Sequence, residues 1–384
     1  MALNFRIEVP SPATSTTSAK SFVWTADSEV IESIDVELHT ENKHLSMLNV
    51  RLFDKRQGSV RFPLYNALPD PAFADVPIKL TLQNANGGPS SQSVVFDGKI
   101  TSLQPGYPAP DKLTIIAHDH SISARLQARY KTYHGKTSVQ LAKQIAADYG
   151  YTFDDSELAG LVLTQRAIDV GMSTMGVGHF SDWNHLVRAL SVDGIELYVK
   201  GKTLHARTSA TTVYPTTFTP DDGNLISFEA QTNHVSSPGA GGQSKTPVPG
   251  GNKGSTLSAT GSTAQEATKE GSTSTTHRTP PQGPKHGFSG AHTESSRSLT
   301  AWAGQRRKRK DDATLTMRLT PDIGMQHLIA LKGWGQKIDG NWYISNIHHS
   351  IAGQSGTTTV HLTTVPTSGS QKQAGIIQPG GTRS

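Results

Sequence analysis

The sequence predicts a mainly β chain in which two similar antiparallel β-barrels flank a small α+β domain. Three observations carry that prediction. Many short segments alternate apolar and polar residues with a period of two. A block near the middle switches to helical spacing. The two β-rich ends repeat the same three segments in the same order.

The first barrel is expected over residues 1–125. Glu29–Thr40 places Val30, Ile34, Val36 and Leu38 mostly on one side and acids on the other. Leu45–Asp54 repeats the pattern with Leu48, Val50 and Leu52, and Pro77–Gln83, Ser93–Leu103 and Lys112–His118 follow. Asn86-Gly87 and Pro105-Gly106 read as breaks between strands. Such a succession of short strands predicts a barrel or sandwich.

Residues 126–222 form the α+β insertion. Thr137 and Gln140 are spaced as a capping box. Val139, Ala142, Ile145, Ala146 and Tyr149 then recur at helical spacing, and Gly150 stops the helix. Ser181 caps a second helix whose apolar face is Trp183, Leu186, Val187 and Leu190, and Gly194 ends it. Strands Ile195–Val199 and Thr203–Arg207 turn through Lys200-Gly201-Lys202.

The second barrel is expected over residues 223–365. It opens on the strand Asn224–Thr232. From about 235 to 295 the chain is Gly, Ser, Thr, Pro and Gln with almost no large apolar side chains. Such a stretch buries too little surface to offset its ordering entropy, so a flexible insertion is expected. Helical character returns over Ser296–Lys310. Strands resume at Ala313–Leu319, Leu328–Trp334, Trp342–His348 and Thr357–Thr364, and residues 366–384 read as a disordered tail.

The internal echo joins the two barrels. Val76–Leu82, Asp97–Leu103 and Lys112–His118 correspond in order to His327–Gly333, Asp339–Ile347 and Thr358–Thr364. Each set is a strand, an Asp-Gly turn into a second strand, a loop, and a Thr-containing third strand.

Composition narrows the function. Hydrophobic residues are 34% and charged residues 17% of the 384, so part of the chain stands outside any core. The absence of cysteine excludes disulfides and thiolate metal sites and fits a reducing cytoplasm. Met1–Pro10 holds no apolar run of signal-peptide length and nothing later approaches a membrane span, so a soluble chain without a membrane anchor is expected. A formal charge of +5 is a modest excess rather than a nucleic-acid footprint.

No nucleophile–base order, paired-carboxylate signature or His-Glu-x-x-His stands in the sequence. Catalytic, cofactor and metal residues are therefore assigned as none. Gly239–Thr246 nearly reads as a phosphate loop, but Ser244 stands where a glycine belongs and Pro247 blocks a following helix. His118 with His120, and His348 with His349, are weighed as ligands and read as polar strand ends; His348 and His349 point to opposite faces. Arg306, Arg307, Lys308, Arg309 and Lys310 are the densest charge in the chain. They read either as a solvated helix end or as a charged contact patch.

Several segments resemble the baseplate hub family of contractile-tailed phages, the late control protein D family, and the hub half of type VI secretion spike proteins. They are Asp97–Ile100, Leu113–Asp119, Gly135–Gly150, Ser181–Leu190 with the Leu197-Tyr198 strand, and Gly340–Ser350. The chain departs from that pattern in its long insertion after Asn233, in the Gly-rich run Gly171–Gly178, and in having no repetitive needle after the last barrel. The last departure implies a spike on a separate chain.

The resemblance implies a non-enzymatic structural hub, assembled as a trimeric ring in the bacterial host cytoplasm and located in the virion. Two barrels per chain would present near sixfold contacts to a hexameric tail tube and threefold contacts to a trimeric spike. It implies as further partners the tape-measure protein and other baseplate subunits, with the basic run touching one of these, a neighbouring subunit or DNA in the lumen. Two other readings compete. One is a cell-wall glycan-degrading enzyme using a carboxylate such as Asp155 or Glu157. The other is a nucleic-acid-binding module centred on Arg306–Lys310.

Overall fold

The computed structural model describes residues 4–10, 21–39, 45–72, 75–83, 92–107, 111–126, 131–158, 166–170, 181–192, 195–207, 212–232, 241–246, 255–260, 311–353 and 355–364. It begins with β1 (Asn4–Val9), β2 (Phe22–Thr25), β3 (Ile31–His39), β4 (Met47–Phe53), the short helix α1 (Pro63–Ala67), β5 (Pro77–Gln83), β6 (Gln92–Gly106) and β7 (Lys112–Asp119). The middle holds α2 (Ile122–Leu126), β8 (Lys131–Lys136), α3 (Ser138–Asp148), β9 (Thr152–Asp154), β10 (Arg166–Val170), α4 (Asp182–Val192), β11 (Glu196–Lys200) and β12 (Thr203–Arg207). Then come β13 (Thr212–Phe218), β14 (Leu225–Thr232), β15 (Gly241–Thr246), β16 (Ser255–Thr260), β17 (Asp311–Arg318), β18 (His327–Leu331), β19 (Gly340–Ala352) and β20 (Ser355–Thr364).

The period-two segments do form strands with one buried face. Leu48, Val50 and Leu52 of β4, Ile78, Leu80 and Leu82 of β5, and Leu113, Ile115 and Ala117 of β7 are all fully buried. Among the described residues thirteen strands join one sheet. Its main path runs β14-β17-β20-β19-β3-β4-β7-β6-β5-β1-β2; β18 attaches to β19, and β13 to β18. The sheet curls into a half-barrel.

Two five-stranded units in this sheet have the same topology. β3, β4, β5, β6 and β7 lie in the spatial order first, second, fifth, fourth, third. So do β14, β17, β18, β19 and β20, and every neighbouring pair in both units is antiparallel. Two irregularities coincide as well, while the bulge between Leu80 and Thr81 of β5 against β6 has no counterpart between β18 and β19. The first strand of each unit bulges against the second, between Ile31 and Ser33 in one and between Leu225 and Ser227 in the other. The fourth bulges against the fifth, between Ile100 and Ser102 and between Ile344 and Asn346. In each fourth-strand bulge the extra residue carries a hydroxyl that donates across the ladder. Thr101 donates to the Ile116 carbonyl at 3.2 Å, and Ser345 to the His361 carbonyl at 3.1 Å. Ile116 and His361 hold equivalent places in the two registers. Such bulges re-aim a strand and are specific features of a fold.

The insertion has its own core. Thr137 caps α3: its hydroxyl accepts the Gln140 N–H at 3.2 Å, and the Gln140 side chain accepts the Thr137 N–H at 3.0 Å. Ser181 accepts the Asn184 N–H at 3.3 Å at the start of α4. The helices bury Leu141, Ile145, Trp183, Leu186 and Leu190 against Leu197 and Leu204 of the β11–β12 hairpin.

Three local expectations need correction. Asp97-Gly98 is no turn: it lies inside β6, paired with Lys79 and Ile78 of β5. Glycine is required there because a Cβ would stand 2.2 Å from the His118 carbonyl oxygen and 2.8 Å from the Phe96 ring. Gly340, its match in the sequence echo, does open a strand, at φ +140, but the register places it opposite Leu331 as Phe96 stands opposite Leu80. Pro105-Gly106 does not break a strand either, since β6 continues through both, opposite Leu113 and Lys112. Within the stretch expected to lack regular structure, β15 and β16 pair with each other. The helix expected over Ser296–Lys310 and the tail at 366–384 lie outside the described residues.

Gly98→Ala overpacks the β5–β6–β7 meander. Denaturant titration is expected to show a loss of about 1–3 kcal/mol of stability.

Candidate assembly interface

β19 joins the two units. Its first residues pair with β18, from Leu331↔Gly340 to Leu328↔Tyr343. Past the Ser345 bulge the same edge of β19 pairs with β3, from Asn346↔His39 to Ala352↔Ser33. Along this junction Ile34, Val36, Ile347 and Ile351 are buried. Leu38 packs against both sheet cores. Polar contacts fix the register: Ser350 Oγ donates to Asp35 Oδ1 at 2.7 Å, and His348 Nε2 lies 3.6 Å from the same oxygen.

His349 is fully buried at the junction. Its Nδ1 lies 2.9 Å from Thr358 Oγ1, which also accepts the Thr320 N–H at 2.9 Å. Among the described residues Nε2 has no hydrogen-bond partner. Burial pushes the imidazole down to about 3, and the neighbouring His348 charge adds to the effect. His349 is thus neutral in the folded chain and acts as a shaped polar filler.

A second contact pins the insertion to the second unit. Arg207 at the end of β12 is buried. Its Nη1 donates to the Met325 carbonyl at 2.7 Å and its Nη2 to the Tyr343 hydroxyl, which in turn donates to Glu196. The guanidinium lies 4.9 Å from the ring centroids of both Tyr198 and Tyr343. Burial raises the Tyr343 phenol, so it stays protonated as the bridge between Arg207 and Glu196. Beside this contact a cleft of about 110 Å³ opens where the first unit, the insertion and the second unit meet. Asp97, Tyr198, Lys200 and Met325 are among its lining residues. That volume is below the few hundred Å³ of an ordinary small-molecule site.

Solved structures share this architecture. A 43 kDa tail protein of prophage MuSo2 from Shewanella oneidensis matches at TM-score 0.58 and 11% identity, covering 94% of this chain and 98% of that one. A tail protein from Neisseria meningitidis MC58 matches at TM-score 0.60 and 13% identity, covering 94% and 96%. An Escherichia coli component of the type VI secretion system, described as structurally similar to bacteriophage T4 tail proteins gp27 and gp5, matches at TM-score 0.50 and 9% identity, covering 88% and 74%. The chain has the fold of phage tail proteins. No protein-family model matches the sequence, and no curated protein matches it.

Against this phage-tail fold the residues singled out in the sequence fall as follows. Arg306–Lys310 lie outside the described residues. His118 and His120 take separate partners: His118 Nδ1 lies 2.8 Å from Thr101 Oγ1, and His120 Nε2 lies 3.1 Å from Asp97 Oδ1. The His120 bond holds the Asp97 carboxyl below its ordinary range. His348 and His349 do face opposite ways, one toward Asp35 at the surface and one into the core. Asp155 is held by Lys143 at 2.7 Å. Glu157 sits in the single turn Ser156–Leu158. Residues 241–246 of the near phosphate loop form a strand. Sequence reasoning missed the Arg207–Tyr343–Glu196 bridge and the β3–β19 pairing, and neither leaves a local signal.

Two outcomes are expected. Arg207→Ala takes the donor from the Met325 carbonyl and from the Tyr343 hydroxyl oxygen, and urea titration should show a loss of about 3 kcal/mol. For His349, the unfolded chain takes up a proton between about pH 6.5 and 3 that the folded chain refuses. Stability is therefore full above that window and falls as pH drops through it, with a slope of up to about 1.4 kcal/mol per pH unit. His349→Leu should flatten that slope in urea titrations at about pH 7, 6 and 5.

Proposed function

We propose that this chain is the structural baseplate hub of a contractile phage tail or a related injection machine, without enzymatic activity. The observation that supports this best is the duplication: one chain carries two five-stranded units of identical strand order and sense, with two bulges in matching positions. Three such chains in a ring offer six similar faces to a hexameric tube, while the ring as a whole remains threefold for a trimeric spike. In this reading each unit is half of a barrel wall that becomes complete by assembly, residues 1–125 and 223–365 are the barrels, and residues 126–222 are the insertion between them.

The likeness in fold to tail proteins and to a type VI secretion component agrees with this reading. The proposed partners are the tube protein, the spike, the tape-measure protein and neighbouring baseplate subunits. Assembly takes place in the host cytoplasm and the final location is the virion. Arg306–Lys310 are assigned to a charged contact with one of these partners, a neighbouring subunit or luminal DNA.

Native mass spectrometry and negative-stain microscopy of the purified chain test the reading. The expected result is a ring with the mass of three 41.1 kDa chains. A strict monomer at every concentration, even when mixed with a tube protein and a spike, overturns it.

A further inference from the structure

We infer that the open edge of β14 pairs with the open second half of β6 in another copy of this chain, in a register set by the β3–β19 junction inside each copy. The inference rests on the ring reading above and specifies its interface.

The two units correspond strand by strand. Matching the bulges makes Ile34, Asp35 and Val36 of β3 equivalent to Phe228, Glu229 and Ala230 of β14. It makes Gln104, Pro105 and Gly106 of β6 equivalent to His348, His349 and Ser350 of β19. Within one chain the first strand of unit one meets the fourth strand of unit two, as β3 on β19. The reciprocal pair, β14 with β6, has no partner within the chain among the described residues. β6 uses this edge against β5 only from Gln92 to Lys99. β14 ends the sheet path.

Both open edges carry matching chemistry. Transferring the junction register sets Tyr107 opposite Phe228, Gly106 opposite Glu229 and Pro105 opposite Ala230. Tyr107, the residue after β6, is 72% exposed with the Arg61 guanidinium 4.3 Å from its ring centroid, and Ile226, at the β14 bulge, is 56% exposed. The Tyr107–Phe228 pair replaces the buried Ile351–Ile34 pair. Glu229 replaces Asp35, and Gln104 replaces His348 as the donor diagonal to it. Pro105 has no N–H to give, so one rung of the internal junction has no counterpart. The arrangement is head to tail, so repeated copies close a ring or extend it, and it leaves neither edge open to unrelated strands.

Cysteine pairing tests the register, because the chain has no cysteine of its own. In the transferred register Gly106 and Glu229 face each other directly without exchanging backbone hydrogen bonds, at a Cα separation of about 4.5 Å. A Cβ at Gly106 meets only Lys112 atoms at 3.8 Å, so Gly106→Cys fits. Full-length Gly106→Cys and Glu229→Cys chains are co-expressed and oxidised with diamide, which takes the two thiol hydrogens as one disulfide forms. The expected result is a covalent dimer on non-reducing gels from the mixture and not from either chain alone. Gln104→Cys with Glu229→Cys, one diagonal step out of register, is expected to link poorly. Independently, Tyr107→Asp should raise the dissociation constant about tenfold or more while the far-ultraviolet spectrum is unchanged. A mass of three chains with no disulfide between the Gly106→Cys and Glu229→Cys chains, or with equal linking out of register, overturns this interface and leaves the hub reading standing. A monomer under all conditions overturns both.

Discussion

The fold depends on one strand that belongs to two units. β19 gives its first residues to β18 and its last to β3, on the same edge. A regular strand would keep one neighbour along that edge. The extra residue at Ser345 changes the local twist, so the strand leaves one partner and meets the next. The sheet cores follow this path, since Leu38 packs into both. Neither unit completes its hydrogen bonds alone: without β19, the β3 edge would be an open template. The units therefore fold as one sheet.

The duplicated units diverge where their surroundings diverge. At one register position the first unit sets Pro105 beside Leu113, and the second sets His349 beside Thr358. β3 covers the second pair, so His349 has a strand neighbour on that edge and its ring fills a buried space closed by Thr358. Pro105 stands on an edge without a strand partner among the described residues, and proline there shows solvent no unsatisfied N–H. An edge with proline resists indiscriminate pairing, so only a partner with the right register and side chains is rewarded. The same backbone plan thus carries a permanent junction in one copy and a selective one in the other.

Local physics made most elements legible. Strands such as Pro77–Gln83 alternate so regularly that the predicted bounds match β5 residue for residue. The Thr137–Gln140 capping box marks the start of α3 because both bonds lie within four residues of sequence. The echo between the two ends was readable because equivalent strands keep their order. What failed was long-range. Asp97-Gly98 resembles a hairpin turn in one dimension, but the close approach of the His118 carbonyl decides its glycine. β13 contains Pro215 and pairs in parallel with β18, which a period-two scan does not flag. The β3–β19 pairing spans most of the chain, and alternation fixes which face of a strand is buried without naming its neighbour.

The insertion shows a different way to fix a body in place. Its helices bury their apolar faces internally, and Tyr198 of β11 joins the core of the second unit. Directional contacts add to that hold. Tyr151 donates to the His120 carbonyl, and His120 bonds Asp97 of β6, which ties the insertion to the first unit. Arg207 and Glu196 clasp Tyr343 of β19, which ties it to the second. A buried arginine adds little net stability, because desolvation consumes most of its attraction. What it adds is geometry: a planar fork between two aromatic rings, a carbonyl and a hydroxyl makes these contacts in one orientation. Apolar faces tolerate sliding by a fraction of a side chain, and this contact does not. Because the clasp grips β19 at Tyr343, just before the bulge that turns the strand toward β3, the insertion is referenced to the strand that sets the relation of the two units.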